Sequence, residues 1–214
     1  SMEPVVELLM IPATLPRFLK VPGPGHRYIA IETVVRTQFE QILPVLTPQA
    51  IDPSHPFPFI PNGGFSLIFD LRQGKSTEPV VELLMIPATL PRFLKVPGPG
   101  HRYIAIETVV RTQFEQIFPG FQKVASGAFR LIRDSDIEVE EEAEDLVRYF
   151  RRAIKRRRRG RVVRLEFAAD TPVELEELVR EGLAADAALV AESGGFIGIA
   201  DLGQLVDIDR PDLK

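Results

Sequence analysis

The stretch FSLIFDLRQGKSTEPVVELLMI, residues 65–86, decides the fold. Apolar residues crowd positions 65–71, a polar Gly-containing run follows at 73–77, and a second β-branched and leucine-rich run fills 78–86. Two such runs around a short glycine turn predict a β-hairpin. Gly74-Lys75-Ser76-Thr77 resembles the tail of a phosphate-binding loop, but that loop needs a glycine where Phe69 stands and a helix directly after the hydroxyl residue. The turn reading is the better one.

Outward from the hairpin, its second strand opens an internal repeat. The 40 residues 3–42 (EPVVELLMIPATLPRFLKVPGPGHRYIAIETVVRTQFEQI) recur unchanged as 78–117, and the copies part at Leu43 against Phe118. Natural repeats keep core positions and drift on the surface, yet here Lys20/Lys95 and Gln38/Gln113 also match. Identity without drift indicates an artificial join or a very recent duplication. It divides the chain into a duplicated segment, residues 1–42, and a remainder, residues 43–214. Each copy reads as a strand (5–11 or 80–86), a proline-rich connector, a Pro-Gly-Pro-Gly turn and a short strand (27–31 or 102–106). A helix from Glu32 or Glu107 follows, with Val34/Val35, Phe39 and Ile42 on one face. Two identical segments compete for one slot. The copy at 78–117 is expected in the sheet, and the copy at 3–42 at the periphery or exchanged with a partner chain.

Residues 47–60 read as an extended, proline-rich stretch. The second half predicts strands at 128–132, 161–167 and 188–191 and a long helix at 140–158. A helix at 172–182 is expected with Thr171 as its N-cap and Pro172 at its first position, and a last helical turn or two at 199–206. Strands and helices alternating after a hairpin-rich first half predict an α+β fold, a mixed sheet with helices mainly on one face.

Composition sets outer limits. Hydrophobic residues at 45% and charged residues at 26% are globular usage, which excludes a disordered or collagen-like chain. The absence of cysteine excludes disulfides, a thiolate zinc site and a cysteine nucleophile, and suits a reducing, cytoplasmic setting. No apolar run approaches the roughly 18 residues of a membrane helix. A net charge of −4 weighs against a general nucleic-acid coat. The three histidines, His26, His55 and His101, lack a second ligand at metal spacing, so no metal site and no catalytic residue is expected. His26 and His101 read as exposed loop residues, and His55 as a hydrogen-bonded packing residue.

Charge is the sharpest local feature. Residues 134–145 carry eight acidic side chains and residues 148–164 ten basic ones, including Arg156, Arg157, Arg158 and Arg159. Acids at a helix start and bases at its end complement the helix dipole, and Glu144 with Arg148 is a favourable pair. Four consecutive arginines exceed what the dipole needs and would attract a polyanion. Arg130, Arg133 and Arg164 stand within apolar strands, where an arginine is costly unless paired. Asp134, Asp136 and Glu166 are the candidate partners, and a phosphate chain is the alternative.

Several of these segments together resemble the polyphosphate kinase family, the ATP:polyphosphate phosphotransferases, in its middle or head domain. They are LPVLT (43–47), DPSHPFPFI (52–60), LPRF (90–93), FRLIRDSDIEVEE (129–141), VRLE (163–166) and DRPDLK (209–214). The resemblance covers residues 43–214. It implies a protein that in full length transfers the terminal phosphate of ATP to polyphosphate, using ATP and Mg2+, through domains outside this stretch. It implies for this stretch dimer contacts and a wall of the polyphosphate path, with no catalysis alone and no cofactor of its own. The partners implied are polyphosphate, the remaining kinase domains and a second copy in a homo-oligomer, without a membrane. Arg130, Arg133, Arg156, Arg157, Arg158, Arg159 and Arg164 are the polyphosphate-binding candidates. A generic polyanion or RNA-binding module is the other reading.

Overall fold

The structure is a computed structural model that describes residues 7–9, 18–21, 27–52, 54–74, 76, 78–96, 101–134, 160–185, 188–194 and 196–206. Along the chain run β1 (Glu7–Leu9), β2 (Phe18–Val21), β3 (Arg27–Ala30), α1 (Ile31–Ile42), β4 (Pro48–Ile51), β5 (Phe65–Gln73) and β6 (Val80–Ile86). Then come β7 (Phe93–Lys95), β8 (Arg102–Ala105), α2 (Ile106–Thr112), α3 (Phe114–Ile117), β9 (Phe121–Arg133) and β10 (Val162–Ala168). The chain continues through α4 (Val173–Gly182), β11 (Leu189–Ser193) and α5 (Gly203–Val206). It divides into two compact units, each discontinuous in sequence.

One unit, Thr47–Pro87 with Gln122–Gly198, is built on a six-stranded sheet of order β11-β10-β9-β5-β6-β4. The hairpin at 65–86 stands at its centre, β5 antiparallel to β6 with Phe65 opposite Ile86 and Leu71 opposite Val80. β10 runs antiparallel to β9 and parallel to β11, so the sheet is mixed, as the α+β reading requires. One face packs under α4: Ile68, Leu83, Phe129, Leu131, Leu165 and Phe167 meet Leu175 and Val179 of the helix. Each such fully buried side chain contributes about 1.5–3 kcal/mol.

Two expectations need correction here, and a third is refined. β9 begins at Phe121, well before residue 128; its first residues are mostly exposed and show no alternation of a buried face. The extended stretch after residue 47 contains β4, an edge strand that opens on Pro48. Thr171 does not cap the helix; Pro172 holds the N-cap position without a side-chain bond. The Thr171 hydroxyl is buried against β9 instead, bonding the backbone N–H and C=O of Ala128 at 3.3 Å each. The helix expected at 140–158, with the arginine run 156–159, lies outside the described residues.

The other unit, Ser1–Leu46 with Ala88–Phe121 and Ile199–Lys214, holds most of both repeats. Identical sequences here take different structures. Hairpin β2–β3 reproduces hairpin β7–β8 in register, Phe18 opposite Ala30 as Phe93 is opposite Ala105. The strands that precede them diverge: β6 joins the six-stranded sheet, whereas β1 pairs in parallel with β8. The first copy is nonetheless packed, since Val34, Val35, Phe39 and Ile42 of α1 are buried. The 12 residues of α1 form one helix, but their duplicates break at Gln113 into α2 and α3. The copies also differ in the residue just past their end. Phe118 is buried with its ring 5.3 Å from that of Phe114, whereas Leu43 at the same point is exposed.

Candidate functional site: two arginines on the sheet face opposite α4

Alternation along β9 and β10 sorts the candidate arginines. Phe129, Leu131, Leu165 and Phe167 point to the helix-covered core. Arg130, Arg164 and Glu166 therefore share the opposite face, where Arg130 pairs with Glu166 across the ladder and Arg164 with Ile132. Nε of Arg164 lies 2.9 Å from Oε1 of Glu166, close enough for an ion pair though the N–H is not aimed along it. The second Glu166 oxygen accepts the Gly198 N–H at 3.1 Å. Arg130 donates through Nε to the carbonyl of Gly63 at 3.2 Å, a residue whose positive φ of 72° suits glycine. The Arg164 side chain is 42% exposed, and its neighbour across β10–β11, Leu189, is exposed as well. Arg164 thus stands half-exposed beside the Glu166 carboxylate, and Arg130 lies opposite Glu166 on the neighbouring strand.

Arg133 is one residue out of step and turns the other way. Its Nε donates to the Ile60 carbonyl at 2.9 Å and a terminal nitrogen to the Gly160 carbonyl at 2.8 Å. The guanidinium also stacks 5.0 Å from the Phe59 ring centre, and the Arg133 amide bonds Asn62 Oδ1 at 2.9 Å. Burial pushes its pKa down. Arg133 staples the loop at 59–62 to the sheet. The structure brings Arg130 and Arg164 together and leaves Arg133 out of the pair; Arg156, Arg157, Arg158, Arg159 and Asp136 lie outside the described residues.

The DPSHPFPFI stretch forms a tight turn and an anchor. Asp52 accepts from the Ser54 amide at 2.8 Å, from the Ser54 hydroxyl, and from His55 Nδ1 at 2.8 Å. The serine and histidine bonds hold the Asp52 carboxyl at about 2, so it stays ionised far into the acid range. His55 is hydrogen-bonded as expected but is not a packing residue, for its side chain is 73% exposed. Packing falls instead to Phe57, whose ring lies against Gly182 at the end of α4. His101 is half-buried rather than exposed, and His26 lies outside the described residues. Among the described residues no three His, Cys, Asp or Glu side chains converge as a metal site would require. No described helix is long and apolar enough to cross a membrane.

One polar cluster went unread in the sequence. Arg92 of the LPRF stretch is 7% exposed and grips Glu107 with two bonds, Nε to Oε2 at 2.9 Å and a terminal nitrogen to Oε1 at 2.7 Å. Its other terminal nitrogen reaches Asp201 Oδ2 at 3.1 Å. Gln204 completes the clamp, accepting from the Phe93 N–H at 3.1 Å and donating to the Phe93 carbonyl at 2.6 Å. The rule applied to Arg130, that an arginine among apolar residues needs a partner, would have singled out Arg92 too.

A six-stranded mixed sheet with a helix packed on one face defines an α+β domain. Residues 38–205 match the model of the polyphosphate kinase middle domain, and the chain belongs to that family. It is 53% identical over 176 residues to the polyphosphate kinase of Erythrobacter litoralis, an alignment covering 82% of this chain and 24% of that protein. With polyphosphate kinase 1 of Chlorobaculum tepidum the identity is 36% over 184 residues, covering 82% of this chain and 26% of that protein. The crystal structure of the polyphosphate kinase from Porphyromonas gingivalis matches the fold with a TM-score of 0.68 at 20% identity, over 97% of this chain and 28% of that one. The chain therefore spans about a quarter of the length of the curated relatives it matches.

Proposed function

We propose that this middle domain serves an ATP:polyphosphate phosphotransferase as a wall of the polyphosphate path and a dimer contact, and that it does not transfer phosphate by itself. The observation that supports this reading is that Arg130 and Arg164 share one sheet face, with Arg164 42% exposed and Glu166 the neighbouring carboxylate. Guanidinium forks match phosphate oxygens and keep their charge at any physiological pH. An extended anion crossing β9 and β10 meets both. ATP and Mg2+ would act in the rest of the enzyme.

Binding of long-chain polyphosphate by the purified chain tests this. Affinity should fall as salt rises and drop at least about tenfold in Arg130→Gln/Arg164→Gln, the loss expected for two charge-assisted contacts. ATP and ADP should not interconvert in the presence of the polymer. Turnover that disappears with His55→Ala would make the chain itself a catalyst and overturn the proposal. Equal affinity for single-stranded RNA would replace it with a generic polyanion binder.

A further inference from the structure

Asn62 is the one asparagine in the chain, and a glycine follows it. That dipeptide closes on itself more readily than any other asparagine pair, because glycine offers its backbone nitrogen with no Cβ in the way. The Gly63 nitrogen loses its proton and attacks Cγ of Asn62, the bond from Cγ to the side-chain nitrogen breaks, and ammonia leaves with one proton gained. The five-membered imide then takes up one water and opens to aspartate or isoaspartate. Water is the only co-reactant. Asn62 is exposed in a turn, so water and base reach it.

The fold withholds the nucleophile. The Gly63 N–H donates to the Leu131 carbonyl of β9 at 2.9 Å, which engages the proton that must go and holds the nitrogen against the strand. The electrophile is held as well, since Asn62 Oδ1 accepts the Arg133 amide at 2.9 Å. Two β9 side chains reinforce these bonds: Arg130 donates to the Gly63 carbonyl at 3.2 Å and Arg133 to the Ile60 carbonyl at 2.9 Å. Cyclisation therefore requires the turn to leave β9. We propose that Asn62–Gly63 is a self-modification site that β9 keeps shut, and that isoaspartate formation there locks the turn off the strand. Isoaspartate lengthens the main chain by one carbon between the two residues, so the contacts to Leu131 and Arg133 no longer form together. The proposal stands or falls separately from the polyphosphate-path reading.

Incubation of the purified chain in mildly alkaline buffer, folded and unfolded in guanidinium chloride, tests it. Intact mass follows the conversion, and peptide mapping assigns it to residue 62. Conversion should be at least about tenfold slower in the folded chain, because the bonds that hold the turn must open together. Arg133→Gln and Arg130→Gln each remove one tie without touching Asn62 or Gly63, and should speed conversion of the folded chain several-fold. A cooperative urea transition shows that each variant still folds, and the wild-type comparison needs no variant. Equal rates in the folded and unfolded wild-type chain would overturn the gate, as would folded variants that convert no faster than wild type. After conversion and refolding, the isoaspartate chain should unfold at lower urea concentration than the unconverted one. Equal midpoints would overturn the locking.

Discussion

Replacing Arg92 by alanine should lower folding stability by about 3–5 kcal/mol, the cost of leaving a buried pair without one partner. The expectation rests on geometry: a 7% exposed guanidinium neutralises Glu107, itself 16% exposed, and reaches Asp201 as well. Without it two carboxylates face each other in poorly hydrated surroundings. The repeat supplies an internal control. Glu32 is the duplicate of Glu107, identical in sequence context, yet it is exposed on α1 and makes no ion pair among the described residues. Glu107→Gln should therefore cost several times more than Glu32→Gln, which should stay within about 0.5 kcal/mol as surface substitutions do. Urea unfolding of the three variants reads the difference directly. Equal effects of Glu107→Gln and Glu32→Gln would mean that the two copies are interchangeable in solution.

The second large effect is expected at Gly182. A Cβ built there would overlap the Phe57 ring, which packs partly buried against the core and must shift to admit it. Gly182→Ala should destabilise by about 1–3 kcal/mol, the usual cost of overpacking. Alanine's better helix propensity, worth up to about 1 kcal/mol, works in the opposite direction. Sign reversal is the diagnostic. In a Phe57→Ala background the clash is gone, and Gly182→Ala should then be neutral or stabilising. A penalty that persists in that background would show that Gly182 is required for some reason other than the ring.

Elements are legible in a sequence where the physics that forms them is local. The hairpin at 65–86 is legible because turn chemistry and two apolar runs agree within 22 residues. The first part of β9 is not, since Gln122, Lys123 and Val124 are exposed and belong to the strand only through its partners. The break at Gln113 cannot be read from its own 12 residues, because the same 12 are continuous in α1. Local propensity is equal there, so the difference comes from what surrounds each copy. Arg130 and Arg164 stand out as charges within apolar strands, and alternation places them on one face. The same alternation separates Arg133, which a count of arginines alone cannot do. Arg92 is hidden beside a proline, and its partner Asp201 lies 109 residues away.

The central claim is that the Arg130–Arg164 face meets polyphosphate. The most direct test is an NMR titration of the isotope-labelled chain with long-chain polyphosphate, monitored through the arginine Nε–H signals. The signals of Arg130 and Arg164 should shift and saturate together, while that of Arg133, which faces the other way and is held by two carbonyls and the Phe59 ring, stays in place. Saturable shifts at Arg133 or elsewhere, with Arg130 and Arg164 unmoved, would contradict the account.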